Sequence, residues 1–265
     1  MPYHLSASKL QTYSRCPRSY HYRYEMGLPS ASFFGAAGLG TALHKTLQQI
    51  YGDWHYQAPI PEYEWLESCW LKNSVALSMN QVQEGREILQ TYYQQYMVAV
   101  GEINRPLALE SKIQGTFLAE NVEFNLTGRC DRLDWLDDGL ELIDYKSAKT
   151  VNLPDPTTVD LQIGLYYLAL AQRYHKSLKQ LSLIFLRTGE KVIFPATAEH
   201  MQKVREAIGE IALQLRSDRQ WQPCTGDHCK RCSYARYCNA VKDDPEPVPE
   251  AEIKPKRQLQ LTLAL

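Results

Sequence analysis

The 265-residue sequence contains no run of 18 apolar residues, so it offers no segment that could cross a bilayer as a helix. Its first residues, MPYHLSASKL, lack the apolar stretch of a secretory signal peptide. No G-x-x-x-x-G-K-[ST] motif occurs, so the sequence shows no ATP-binding loop. A strong basic charge is also absent, since the formal net charge is −1. We therefore expect a cytoplasmic protein without a membrane partner, in which any contact with a polyanion is confined to a local surface.

Apolar residues make up 44% and charged residues 22% of the chain, values that are typical of a globular protein with a substantial core. The sequence has seven cysteines. Because the cytoplasm keeps thiols reduced, this number favours metal or cluster ligation over disulfide bonds.

The spacing of apolar residues changes from a helical to an alternating period near residue 107. Before that point the sequence predicts helices, including one over TALHKTLQQIYGDW and an amphipathic stretch over 62–99 with a polar break at residues 79–83. After it, three alternating segments separated by Glu-Asn and Asp-Asp-Gly turns predict an antiparallel meander. A long helix over TTVDLQIGLYYLALAQRYH, two strands and a helix over 197–217 follow, and the Pro- and Glu-rich residues 241–265 are expected to form a disordered tail.

One predicted strand, ELIDYKS, carries chemically useful side chains. Asp144 and Lys146 are two residues apart and therefore share one face of the strand, whereas Tyr145 points to the other. The preceding strand ends in GRCDRLD, which can place Asp131 beside Asp144 across the hairpin. Two close carboxylates repel each other unless a cation lies between them, so the pair indicates a Mg²⁺ or Mn²⁺ site. An ordinary surface ion pair is the alternative.

The segments GRCDRLD and LELIDYKS together resemble the PD-(D/E)XK nuclease superfamily, in which an aspartate, a second acidic residue and a lysine line one metal site. The RecB-like branch adds a histidine on an upstream helix and a Q-x-x-x-Y motif on the helix after the catalytic strand. The sequence offers His44 in GLGTALHKTL and Gln162 with Tyr166 in LQIGLYY, in the family's order. Each of these residues alone would be an ordinary helix position. The resemblance extends over about residues 5–240.

This resemblance implies a fold and a set of residue roles. The fold would be α/β (α+β), with a restriction-endonuclease-like core, a mixed β-sheet flanked by helices, a helical N-terminal region and a Cys-rich C-terminal segment. One nuclease domain would cover 1–240, with a largely helical region at 28–105 and the catalytic core at 106–196. Asp131, Asp144, His44 and the Tyr145 carbonyl would bind Mg²⁺ or Mn²⁺, Lys146 would position the attacking water, and Gln162 and Tyr166 would contact that site or the DNA backbone. Glu110 would be either an outer carboxylate of the site or a solvent-facing charge.

Four of the seven cysteines lie in CTGDHCKRCSYARYC, residues 224–238. Locally, Cys224, Cys229, Cys232 and Cys238 have spacings that a zinc site tolerates. The resemblance implies instead a [4Fe–4S] cluster on Cys16, Cys229, Cys232 and Cys238, the pattern of AddB-type nuclease domains and CRISPR-associated RecB-like exonucleases. We favour the cluster, which leaves Cys224 without a role.

The activity that the resemblance implies is metal-dependent hydrolysis of DNA. We expect an exonuclease that acts on single-stranded ends in DNA repair, recombination or CRISPR-related processing. Because the chain shows no ATP-binding motif, any unwinding requires a helicase or another partner protein. The alternatives are an RNA substrate and a non-catalytic, nuclease-fold subunit that binds DNA within a helicase–nuclease complex.

Two further segments indicate partners. RCPRSYHYRYE alternates arginines with tyrosines, which predicts either a single-strand path, with Arg15, Arg18 and Arg23 on phosphates and tyrosines on bases, or a helix whose tyrosines pack in the core. QLQLTL, from Gln258 to Leu263, resembles the short peptides that bind sliding clamps, and a frayed apolar terminus is the alternative.

Overall fold

The computed structural model of the chain describes residues 3–30, 36–149, 153–155, 158–173 and 178–249. The helices are α1 Ala7–Arg15, α2 Pro17–Tyr20, α3 Ala36–Asp53, α4 Tyr63–Asn73, α5 Met79–Tyr93, α6 Leu161–Arg173 and α7 Ala198–Ser217. The strands are β1 Tyr3–Leu5, β2 Ala108–Ala119, β3 Val122–Leu136, β4 Gly139–Lys146, β5 Leu178–Phe185 and β6 Glu190–Pro195. The chain divides into two compact units, Met1–Ala7 with Phe33–Glu210 and Ser8–Ser32 with Ile211–Leu265.

The strands of the first unit form one six-stranded mixed sheet in the order β1-β3-β4-β5-β6, with β2 also paired to β3. The pairs β1–β3 and β4–β5 are parallel, and the β2–β3, β3–β4 and β5–β6 pairs are antiparallel. This mixed sheet with flanking helices confirms the predicted α/β, restriction-endonuclease-like fold class. The short parallel strand β1 was not predicted, because three residues are too few for an alternating pattern to show.

The two-residue turns of the meander set the register of its three strands. Ala119 pairs with Val122 across the first turn, and Leu136 pairs with Gly139 across the second. Because pairing continues with the same offset along an antiparallel ladder, each turn determines which residues lie opposite each other many positions away.

Helices α3, α4 and α5 pack through apolar residues on one face of β4. Leu43, Leu47 and Trp70 are fully buried there in a cluster that includes Ile143 and Tyr145. Asp144 is hydrogen-bonded to Gln162 of α6, so the two sets of helices meet opposite faces of β4. The predicted alternation of Tyr145 and Asp144 between faces is therefore present.

The polar break predicted at residues 79–83 is wrong. Those residues form the first turn of α5, and the break between the two helices falls at 74–78. Ser78 accepts a hydrogen bond from the Gln81 N–H at 3.4 Å, and the Gln81 side chain accepts from the Ser78 N–H at 3.2 Å. This capping box begins a helix, so the polar residues around it mark a start rather than an interruption.

The second unit has a core of aromatic side chains. Tyr22 donates a hydrogen bond to the Tyr237 carbonyl at 3.0 Å, and Tyr234 donates to the Leu28 carbonyl at 3.2 Å. Among the described helices of the chain, none combines the length and apolarity needed to span a membrane. Most of the tail expected at 241–265, including the QLQLTL segment, lies outside the described residues.

Candidate active site

Three acidic residues form a row across three neighbouring strands. In β2 and β3, Leu109 pairs with Arg132 and Ser111 with Cys130, so Glu110 lies opposite Asp131. In β3 and β4, Arg132 pairs with Ile143, which places Asp144 next to Asp131 in the same way. Residues directly opposite each other in a sheet project from the same face. The register therefore brings Glu110, Asp131 and Asp144 together on one face.

Glu110 adopts a strained backbone conformation in this row. Its φ angle is +46°, in the left-handed region that non-glycine residues rarely occupy. Such a conformation costs about 1–3 kcal/mol and persists only where the surrounding structure enforces it. The Glu110 carboxylate lies 3.9 Å from His44 Nδ1 and 3.7 Å from Arg129 Nη1. Of the two alternatives for Glu110, the structure supports the site carboxylate over the solvent-facing charge.

His44 of α3 lies over the row. Its Nδ1 is 3.3 Å from Asp131 Oδ1, and one ligand atom each from His44, Glu110 and Asp131 lies within 4.8 Å of the others. Burial lowers the pKa of His44, but the hydrogen bond and charge of Asp131 outweigh it, so the pKa is raised above its usual value. One imidazole nitrogen and carboxylate oxygens are ligands that suit a divalent cation such as Mg²⁺ or Mn²⁺.

Lys146, Gln162 and Tyr166 form a hydrogen-bonded chain around Asp144. Lys146 Nζ lies 2.6 Å from Asp144 Oδ2 and donates to Gln162 Oε1 at 2.6 Å. Gln162 Nε2 donates to Asp144 Oδ1 at 2.6 Å and to the Tyr166 hydroxyl at 3.1 Å. The Tyr145 N–H donates to Asp131 Oδ2 at 2.6 Å. The structure thus brings together the side chains predicted from the sequence, and the backbone of Tyr145 joins them.

Two local features place α6 against this site. Asp160 Oδ1 accepts hydrogen bonds from the backbone N–H groups of Gln162 and Ile163 at 2.9 Å each, which satisfies free donors of the first helical turn. The Tyr166 ring lies directly against Gly128 of β3, where an added Cβ would be 2.5 Å from Tyr166 Cε1. The glycine of GRCDRLD is therefore required for close approach of the Tyr166 ring to the strand.

A buried arginine holds the opposite face of the two acidic strands. Arg132 is 7% exposed, and its Nη1 donates to the hydroxyls of Tyr92 and Tyr145 at 2.9 Å each. Its Nη2 is 2.9 Å from Asp134 Oδ2, and its guanidinium lies 4.3 Å from the ring centre of Tyr51. These contacts link β3 and β4 to α3 and α5 directly behind Asp131 and Asp144. Nothing in the sequence places Arg132 near the site, because a charged residue in an alternating strand usually faces solvent.

The cysteines fall into two groups. Cys69 and Cys130 are buried in the first unit, and burial raises the pKa of each thiol to about 11. In the second unit, a single cavity is lined by Cys16, Cys224, Cys229, Cys232 and Cys238. The backbone N–H of Cys224 donates to Cys16 Sγ at 3.5 Å. Among the described residues, no three cysteine sulfurs lie within 4.8 Å of one another.

A family model of the PD-(D/E)XK nuclease superfamily matches residues 4–239, and the chain belongs to this superfamily. Membership implies a metal-dependent phosphodiester hydrolase. One solved structure, titled "Crystal structure of SSO0001", aligns with 90% of this chain and 87% of its own, at 13% sequence identity and a TM-score of 0.44. No curated protein matches the sequence.

The environment of Asp144 predicts that its carboxylate destabilises the metal-free fold. Asp144 is 3% exposed; burial, partly offset by Lys146, together with the charge of Asp131 raises its pKa to about 6. Its unfolded-state pKa is about 3.9, so the stability cost is complete above pH 6 and disappears as the pH falls toward 4. We expect Asp144→Asn to raise the free energy of unfolding of the metal-free protein by roughly 2–3 kcal/mol at pH 8.

Urea denaturation in a chelating buffer at pH 8 and pH 4.5 measures this difference. The gain in unfolding free energy from Asp144→Asn should be smaller at pH 4.5 than at pH 8. The control Asp138→Asn, at an exposed carboxylate, should change the free energy of unfolding by less than about 0.5 kcal/mol. A destabilised Asp144→Asn variant at pH 8 would show that the carboxylate contributes to the fold instead of opposing it.

Proposed function

We propose that the protein is a metal-dependent deoxyribonuclease that degrades DNA from single-stranded ends. The observation that carries this proposal is the row of Glu110, Asp131 and Asp144 in a chain of the PD-(D/E)XK superfamily. Lys146 forms an ion pair with Asp144, the last carboxylate of the row. A merely structural role does not require carboxylates to be placed side by side with so little water. A cation bound by all three carboxylates would offset their mutual repulsion.

His44, Glu110, Asp131, Asp144 and the Tyr145 carbonyl are the groups that would hold Mg²⁺ or Mn²⁺. Their oxygen-rich donor set fits these hard cations. When bound, the cation supplies Lewis-acid stabilisation of the charge that develops on the phosphate and lowers the pKa of water. The protein's contribution is to keep the carboxylates together through the β3–β4 register and through the Tyr145 N–H bond to Asp131.

Lys146 would position the attacking water by donating a hydrogen bond to it. Its ammonium is anchored by both Asp144 and Gln162, and its side chain is 27% exposed, so one donor remains available to substrate. Gln162 orients Lys146 by accepting from it while donating to Asp144. Tyr166 fixes the Gln162 amide in turn by accepting its second N–H.

A second metal centre is part of the proposal. Cys16, Cys229, Cys232 and Cys238 would ligate a [4Fe–4S] cluster, with zinc as the alternative. Cys16, Cys229, Cys232 and Cys238 line one cavity, which supports a metal centre shared by these four thiols. Cys224 is exposed and contacts Cys16 through its backbone, which supports a role for its N–H rather than for its thiol.

The biological setting remains an expectation from the resemblance. Cytoplasmic DNA repair, recombination or CRISPR-related processing, with a helicase as partner, fits a nuclease whose sequence shows no ATP-binding loop. The competing function is a nuclease-fold subunit that binds DNA without cutting it. Contact with a sliding clamp through residues 258–263 stays a prediction from the sequence.

The proposed activity predicts that Lys146→Ala lowers kcat on labelled single-stranded DNA by at least about 100-fold, because the water loses its positioning group. Lys179→Ala is the matched control, since Lys179 is a strand lysine whose partner is Asp138, 3.0 Å away. Wild-type and variant proteins are compared with Mg²⁺, Mn²⁺ or chelator, on linear and circular single strands and on RNA.

Linear DNA should be degraded and circular DNA spared. Equal activity of Lys146→Ala and wild type would refute the assigned site. Cleavage of circles would show an endonuclease, preference for RNA would change the substrate, and tight DNA binding without any hydrolysis would favour the non-catalytic subunit.

The cluster proposal predicts a brown protein with about four irons and four labile sulfides per chain after anaerobic purification. Cys16→Ala should lose this iron and the associated visible absorbance, whereas Cys224→Ala should keep both. Stoichiometric zinc that survives Cys16→Ala but is lost in Cys224→Ala would establish the zinc alternative instead.

A further inference from the structure

The second unit carries a basic surface groove that adjoins its cysteine-lined cavity, and Ser19, His228, Cys232 and Tyr234 line both. Arg15 at the end of α1 and Arg23 in the short π-helix His21–Glu25 contribute one side of the lining. Lys230 and Arg231, in a 3-10 turn over Asp227–Arg231, contribute the other. The groove has a volume of about 660 Å³. Residues more than 200 positions apart in the sequence thus build one charged surface.

The lining has a formal charge of +3, with four cations and the single carboxylate of Asp227. That carboxylate is already paired with Lys230 at 2.9 Å. Among the described residues, no carboxylate lies within ion-pair distance of Arg15, Arg23 or Arg231. In a chain whose net charge is −1, this is a local concentration of unneutralised positive charge.

Nearby arginines outside the groove are used differently. Arg18 Nε donates to the Trp221 carbonyl at 2.8 Å, and Arg236 lies 3.8 Å from the Glu246 carboxylate. Both side chains therefore already have a hydrogen-bond or ion-pair partner within the protein. Arg18, predicted from the sequence to join a phosphate path with Arg15 and Arg23, does not line the groove.

Two of the three tyrosines of the same segment are buried and therefore not available for stacking on bases. Tyr20 is 0% exposed and Tyr22 is 4% exposed, and Tyr20 stacks on Trp221 with ring centres 5.8 Å apart. For these two residues, the core-packing alternative is correct and the base-stacking interpretation is wrong. The groove offers charges together with the hydroxyls of Ser19, Ser30 and Ser233, which suit phosphate oxygens rather than base faces.

We propose that this groove binds the phosphodiester backbone of single-stranded DNA without regard to base identity. The choice of DNA among polyanions rests on the proposed nuclease function. A cavity of this volume accommodates a short length of one strand, and cations from two chain segments match a ligand with repeated negative charges. The site is a binding surface of the second unit, additional to the carboxylate row of the first.

The test measures binding in the absence of cleavage. In the full-length Asp144→Asn protein with chelator, fluorescence anisotropy gives the Kd for labelled oligothymidylate and oligoadenylate across a salt series. The Arg23→Gln/Arg231→Gln double variant should bind about tenfold more weakly, and its slope of log Kd against log salt should fall by about 1.4, since each single-strand phosphate contact contributes about 0.7. The double substitution should weaken the binding of oligothymidylate and of oligoadenylate by the same factor.

Arg219→Gln is the matched control, because this exposed arginine of the same unit lies outside the groove and donates only to backbone carbonyls in the described residues. The proposal would be overturned by an unchanged salt slope in the double variant. It would also be overturned if the double variant lost no more affinity than Arg219→Gln, or lost affinity for only one of the two oligonucleotides. Hydrolysis by the protein with intact Asp144 is assayed separately. If that protein cleaves DNA while the groove variants bind normally, only the groove assignment fails; if binding falls but no hydrolysis occurs, only the nuclease function fails.

Discussion

The mutual repulsion of Asp131 and Asp144 is the interaction on which the rest of the structure depends. Two short hairpin turns place these carboxylates side by side, with Glu110 continuing the row, and burial removes the water that would screen them. Part of the charge is offset by Lys146 and His44. Burial, together with the charge of Asp131, raises the pKa of Asp144, and a cation bound by the carboxylates would relieve their repulsion. The arrangement that prepares the site for a cation therefore lowers the stability of the metal-free fold.

Several elements resist that repulsion. Arg132 and the tyrosines around it connect the acidic strands to α3 and α5 from behind, so the strands cannot separate without breaking buried hydrogen bonds. On the other face, Asp160 and Gly128 allow α6 to approach closely enough for Gln162 to reach Asp144. These contacts involve different strands and helices, and together they hold the carboxylate oxygens of Asp131 and Asp144 in place.

The central part of this arrangement could be predicted from sequence because it depends on local rules. Strand alternation puts Asp144 and Lys146 on one face, and a two-residue turn brings Asp131 beside Asp144; the same reasoning applied to the preceding Glu-Asn turn would have placed Glu110 opposite Asp131. The burial of Arg132 could not be predicted, because it arises from contacts with Tyr51 of α3 and Tyr92 of α5, which are distant in sequence. The positive φ angle of Glu110 could not be predicted either, because an alternating pattern carries no sign of it. The start of α5 was misplaced because a capping signal was interpreted as a break.

The most direct test of this account compares the melting temperatures of wild type and Asp144→Asn at pH 8, first in chelator and then in Mn²⁺. If repulsion between buried carboxylates prepares the site for a cation, Mn²⁺ should raise the melting temperature of wild type far more than that of the variant, because it binds the native carboxylates. The order of stability should therefore reverse between the two conditions. An equal response of both proteins to Mn²⁺, or none in either, would contradict the claim that this row of carboxylates is a metal site.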